Sequence, residues 1–440
     1  MKSNLHWRVF ALFMVVVLVV TACTPAATQA PTQAPTTPPV VEPTTPPVEQ
    51  PTTPPVVEPT AAPTTAPVGE FKFGMLLVGP YNDHGWSQAT FEGAQYVLNK
   101  MGLPSTSFDY LDKVNVADRP GTTPDQLAEQ LVAKGAKLVF FNSDDMKDGA
   151  IAFAKKHPDI YTVFVSGDTV WKDGKNYMDL PNMANPMGRM EYMKMIAGCA
   201  AALTTKNGQI GFLGPLINDE TRRLAASAYL GAKYCWTNYA KKNAADLKFK
   251  VTWIGFWFNI PGVTSDPTQV ADDFYNTGYD VVISGIDTTE ALREATKMAG
   301  AGKAVWAVPY DFKDACAEGE NVCLGVPYFN WGPSFLSIVK SAADGSFKPT
   351  FDWAEPDWKD INNPDTSAVG FSKGKALSAE ASTNIDDFIS KMSAGLNLWT
   401  GPVNLQDGSP YLKDGEVATD QQIWYLPQLL EGMQGQSVSQ

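Results

Sequence analysis

The sequence predicts an α/β protein with parallel sheets in two lobes, joined to a leader and a tether. Three observations predict it. From Phe71 onward, short apolar runs recur, each followed by a helical pattern of roughly 10–20 residues, as parallel sheets covered on both faces require. About eight such strand–helix units occur, more than a single small sheet needs. Before Phe71, an apolar stretch and then a proline-rich stretch lack the patterning of a folded core.

The leader, MKSNLHWRVFALFMVVVLVVTAC, has a short basic start and an apolar stretch from Val9 to Val20. That is short for a membrane span and suits a signal peptide over 1–23. It ends in Val20-Thr21-Ala22-Cys23, which resembles the bacterial lipobox. The resemblance implies that Cys23 is diacylated and becomes the mature N-terminus, anchored at the outer face of the cytoplasmic membrane. Residues 24–69 are Thr, Pro, Ala and Val with a little Glu, and hold 14 of the 33 prolines. Such a stretch is an extended tether, reaching up to roughly 140 Å at about 3.1 Å per residue.

Within 70–440, the first expected strands are FGMLLV (73–78), KLVFFN (137–142) and IYTVFV (160–165). After the first, Phe91, Ala94, Val97, Leu98 and Met101 share one helical face. The second series is QIGFLG (209–214), FKVTWIGFW (249–257), DVVIS (280–284) and KAVWAV (303–308), with a helix starting near Asp219-Glu220. MGRMEYMKMIAGCAAAL (187–203) is a long apolar helix suited to crossing between lobes. The first lobe therefore spans about 70–185 plus later returning segments, and the second about 205–310. Residues 346–440 form an extension over both lobes, with a helix near 383–396.

In open α/β sheets, ligands bind outside the carboxyl ends of the strands. The candidates are therefore the residues just after each strand: Asp83, His84 and Trp86; Ser143, Asp144 and Asp145; Asp168; Glu220; Trp257 and Asn259; Asp287; Tyr310 and Asp311; and Trp331. An Asp or Ser before a helix is also a common N-cap, and a Trp near a strand end is often core. The pattern is cumulative, because acids and aromatics recur at the same end of nearly every strand. Aromatic faces with a few hydrogen-bonding groups suit a flat polar ring, a base or a sugar.

Several chemistries are disfavoured. The net charge is −13, or −11 on residues 71–440, which is unsuited to neutralising nucleic-acid phosphates. No HExxH, CxxC or GxxxxGK[ST] occurs, so no metal, cofactor or catalytic residue is expected. Gly370-Phe-Ser372-Lys-Gly374 matches GxSxG, but NNPDTSAV before it is a poor strand and no His follows. Cys316 and Cys323 enclose a short polar loop and are expected to bridge, since an exported chain can oxidise them. Cys199 lies in an apolar helical run and is expected to be a buried small hydrophobe.

VGPYNDHGWSQATFEGA, MGRMEYMKMIAG, WIGFWFN, FNWGP and WTGPVNLQDGSPYLKDGE resemble the basic membrane protein family of purine-nucleoside-receptor-like binding lipoproteins, over about Phe71 to Gly435. The resemblance implies periplasmic-binding-protein type I architecture: two Rossmann-like lobes, a hinge and a ligand cleft between them. It implies a non-enzymatic, monomeric receptor that hands a purine base or nucleoside to an ABC permease. Trp86 and Trp257 would be ring platforms, Asp83 and Asp168 first-lobe contacts, Glu220 near the cleft, and Asp311 and Trp331 contacts from the second lobe. Asn259 stands where the family usually has Asp, and the late-strand lysine of nucleoside binders is not apparent near FNWGP. Those departures favour a free base such as adenine. A sugar-binding receptor, or a sensor without transport, is the alternative.

Overall fold

The computed structural model describes residues 71–438. The expected signal segment 1–23, Cys23 and the tether 24–69 lie outside the described residues. The chain begins β1 (Phe73–Leu76), α1 (Trp86–Met101), β2 (Phe108–Leu111), α2 (Pro124–Ala133), β3 (Leu138–Phe141), α3 (Lys147–Lys156), β4 (Tyr161–Phe164) and β5 (Met183–Gly188). It continues through α4 (Met190–Thr204), β6 (Gln209–Gly214), α5 (Asp219–Asn238), β7 (Lys248–Trp253), α6 (Pro267–Asn276), β8 (Val281–Ser284), α7 (Glu290–Gly300) and β9 (Trp306–Val308). Then come β10 (Gly325–Phe329), α8 (Gly332–Asp344), β11 (Thr350–Ala354), β12 (Val369–Lys373) and α9 (Ala379–Ser393). The last elements are β13 (Val403–Asn404), β14 (Pro410–Leu412), α10 (Asp420–Trp424) and β15 (Met433–Gln434).

Two parallel sheets organise these elements, in the orders β2-β1-β3-β4-β5-β11 and β15-β7-β6-β8-β9. β1, β3 and β8 are buried at every position, which is why they read as unbroken apolar runs rather than alternating ones. Each sheet reverses its winding once, between β1 and β3 in the first and between β6 and β8 in the second. The chain passes to the second sheet after β5, returns through α8 to add β11, and goes back to add β15.

α4 carries the first crossing, and 13 of its 15 residues are buried, so it is packed on all sides. It lies against α5 with backbone touching backbone. A Cβ on Gly198 would stand 1.8 Å from the Ala228 carbonyl oxygen, and one on Gly231 would stand 2.0 Å from that of Met195. Glycine supplies this approach because it has no Cβ. The same proximity overturns the expectation for Cys199, which forms a disulfide with Cys235 of α5. A sequence separation of 36 hides a contact that only helix packing creates. Cys316 and Cys323 are also bonded.

Other boundaries shift. Met187 and Gly188 belong to β5, and the helix begins only at Met190. Residues 346–440 are more than an extension, since β11 and β15 are edge strands of the two sheets. Ser372 lies within β12, opposite Val326 of β10 in an antiparallel pair, and so occupies no strand-to-helix elbow.

Candidate functional site

A cavity lies where the two winding reversals face each other. From the first lobe it is lined by Trp86 after β1, Ser143 and Asp144 after β3, and Ser166 after β4. From the second come Pro215, Glu220, Thr221 and Leu224 after β6, Trp257 after β7, Gly285 and Asp287 after β8, and Tyr310 after β9. Lys194 of α4 and Phe212 of β6 complete the wall. The location follows from topology: at a reversal, neighbouring loops leave in opposite directions and open a crevice.

Local interactions hold the two indoles. Trp86 opens α1, and its Nε1 donates to the Asn142 carbonyl at 2.6 Å, tying the loop after β1 to the end of β3. Phe329 and Trp331 meet its ring edge-on at 5.1 and 5.2 Å between centroids. The Trp257 backbone carbonyl accepts from the Asp287 backbone N–H at 2.9 Å, while the indole Nε1 has no partner among the described residues. The two rings are 5% and 8% exposed, so little rearrangement entropy remains to be lost when a flat ligand meets them.

Of the residues expected from sequence, Trp86, Ser143, Asp144, Glu220, Trp257, Asp287 and Tyr310 meet at this cavity, while Asp83, His84, Asp145, Asp168, Asn259, Asp311 and Trp331 do not line it. Asp83 accepts the backbone N–H groups of Gly85, Ser87 and Gln88 at 2.9, 3.0 and 2.9 Å, so it caps α1. His84 is an exposed residue with φ of 58° that pairs with Glu318. Asp168 accepts from the Tyr425 hydroxyl at 2.5 Å and from Asn176 at 3.0 Å, which fastens the C-terminal segment. Trp331 stacks on Phe329 and Phe335 behind Trp86, and α8, at whose N-terminus it stands, packs on α1 of the first lobe. Asp311 is fully buried next to the cavity wall, with φ of 69°. Asn259 faces its own loop, accepting from Thr264 at 3.1 Å.

The electrostatics are unusual for so small a space. Burial pushes the Glu220 carboxyl up to about 7; Arg223 and Lys194 oppose that rise, and Asp144 and Glu191 reinforce it. Burial likewise raises Asp144, and it raises Asp287 and Asp311 well above the ordinary carboxylate range. Burial lowers Lys194 to about 7 against the pull of Asp311 and Glu220. Its Nζ donates to the Ser284 carbonyl at 2.7 Å and lies 3.1 Å from the centre of the Tyr310 ring. Tyr310 lies beside Asp311, and its hydroxyl favours the Asp311 carboxylate against burial. The wall thus offers carboxyl groups in excess of cations, with donors and acceptors left free for a guest.

The lobes meet at the mouth of the cavity. A Cβ on Gly85 would stand 1.6 Å from the Asp287 carbonyl oxygen, so only glycine permits this approach. Asn218 of the second lobe donates to Asp144 of the first at 3.4 Å. Glu318 gathers His84 from the first lobe together with Arg293 and Thr289 of its own, the latter two at 2.7 Å each.

Sequence reasoning missed Ser166 and Lys194 as cavity residues. Ser166 had a usable signal, since it follows β4 directly and comes before Asp168 in the chain. Lys194 had none: a lone lysine in an apolar helix reads as a solvent-facing position.

A family model described as ABC transporter substrate-binding protein, PnrA-like, matches residues 71–393. A purine-binding protein of Brucella abortus is 26% identical over 365 residues, covering 80% of this chain and 90% of that one. A Haloferax volcanii protein whose name gives it as an ABC transporter glucose-binding protein is 24% identical over 278 residues, 63% of this chain and 62% of that one. A solute-binding protein of an Aeropyrum pernix ABC transporter has the same fold at 12% identity and a TM-score of 0.58, covering 76% of this chain and 93% of that one.

Proposed function

The chain belongs to the Bmp family of PnrA-like ABC transporter substrate-binding proteins, and on that premise we propose that its cleft captures a purine nucleobase, adenine-like, for delivery to a membrane permease. One observation carries the reading: Trp86 and Trp257, from different lobes, line the same cavity as Asp144, Glu220 and Asp287. Indole faces stack on a base for roughly 1–3 kcal/mol each, and carboxyl groups answer its ring and exocyclic N–H groups. The Brucella relative, named for purine binding, supports the same choice. Lobe closure over the guest fits a cleft whose two walls touch at Gly85 and Asp287.

A sugar is the second reading, favoured by the name of the Haloferax relative. Tryptophan emission separates the two. The full chain, unfolded and refolded to strip carried-over ligand, should respond saturably to adenine and not to glucose; the reverse would assign the cavity to a sugar.

We also propose that Cys23 carries the lipid that holds the receptor at the outer face of the cytoplasmic membrane, with residues 24–69 as its tether. Cys23→Ser should release the protein from the membrane fraction; retention there would reject the anchor.

A further inference from the structure

We propose that Glu220 decides which purine the cavity accepts, a neutral carboxyl taking an adenine-type edge and an ionised carboxyl a guanine-type edge. The proposal rests on the purine reading above and adds a specificity device to it.

Glu220 stands in the first turn of α5, lines the cavity, and has no hydrogen-bond partner among the described residues. Three of its polar neighbours are engaged elsewhere. The Thr221 hydroxyl donates to the Leu216 carbonyl at 2.6 Å, Asn218 caps α5 through Thr221, and Lys194 donates to Ser284. The charged and titratable groups around Glu220 come from every wall: Arg223 from α5 itself, Lys194 and Glu191 from α4, and Asp144 from the loop after β3. Asp287, Asp311 and Tyr310 complete the set from the second lobe. Burial and the neighbouring acids oppose the ionisation of Glu220, and the two cations favour it, so the balance falls near neutrality.

The chemistry follows from counting donors and acceptors. A protonated carboxyl offers one O–H donor and one carbonyl acceptor, complementary to the N6–H donor and N1 acceptor of adenine. A carboxylate offers two acceptors, complementary to the adjacent N1–H and N2–H donors of guanine. The mismatched combination buries an unpaired polar group, the kind of defect by which enclosed sites reject analogues most strongly. Glutamine presents the donor and acceptor of the neutral acid at every pH.

The test is a competition titration of the refolded full chain with adenine and guanine from about pH 5.5 to about pH 8.5, a window spanning the neutral-to-ionised change. The affinity ratio of adenine to guanine should fall at least about tenfold across that range in the wild type, and E220Q should hold the low-pH ratio throughout. E220D, which keeps a titrating carboxyl, should retain a swing and serves if E220Q does not fold. A ratio independent of pH in the wild type, or a swing that survives in E220Q, would overturn the proposal. Failure of both bases to bind at any pH would instead sink the purine reading on which it rests.

Discussion

Two glutamates approach Arg223 from different helices, and only one is paired. Glu191 of α4 receives Arg223 Nε at 2.6 Å, the two side chains are 5% and 1% exposed, and the guanidinium lies 4.1 Å from the centre of the Trp424 ring. Glu220, three residues before Arg223 on α5, feels that charge but has no hydrogen-bond partner among the described residues and opens onto the cavity. The first arrangement joins α4, α5 and the C-terminal segment. The second leaves an acceptor ready at a point where folding alone would have paired or removed it. A paired buried charge marks the frame, and an unpaired carboxyl on the cavity wall marks the place open to a guest.

The sharpest way to break this contrast is to remove the shared arginine. Arg223→Met strands Glu191 in the interior and should cost about 3–5 kcal/mol in urea unfolding. A loss under about 1 kcal/mol would mean that Glu191 is not held by Arg223 at all.

Trp86→Ala addresses the cavity side. It should weaken adenine by roughly 5- to 150-fold, the worth of one stacked base. Equal affinity in a folded variant would remove Trp86 from the ligand's surroundings.

Glu220→Gln sharpens the comparison through stability. A folded carboxyl raised to about 7 from 4.5 keeps a proton that the unfolded chain releases, so stability falls as pH rises between those values. The variant should flatten that slope and, above pH 7, be more stable than the unliganded wild type by about 1–2 kcal/mol, a figure discounted for the side open to the cavity. A parallel pH dependence of melting temperature in both proteins would contradict it.

His84→Ala should have the smallest effect. The His84–Glu318 pair is exposed on the histidine side, and its loss should weaken ligand binding by at most about fivefold without changing folding. A larger drop in affinity would make the pair a true latch between the lobes.

The first-sheet strands β1, β3 and β4 were legible because burial on both faces leaves an apolar run. β5 was not, since MANPMG carries Asn, Pro and Gly and is a strand only because its neighbours pair with it on both sides. β11 and β15 were hidden as edge strands supplied from far along the chain. In the cavity, Trp86 and Asp287 were found by their place after a strand. Asp83 and Asp168 occupy similar places but are spent on the α1 cap and on Tyr425, a distinction no local pattern carries. Lys194 and the Cys199–Cys235 bond needed the packing of α4 to be visible.

The most direct test of a cleft that closes on a purine is calorimetry of the refolded full chain and Gly85→Ala with adenine, side by side. The added Cβ would strike the Asp287 carbonyl oxygen only when the lobes are together. One-to-one binding in the wild type, weakened at least about tenfold in the variant at an unchanged melting temperature, is the result predicted. Equal affinity in both proteins, or no heat with adenine beside clear heat with glucose, would contradict it.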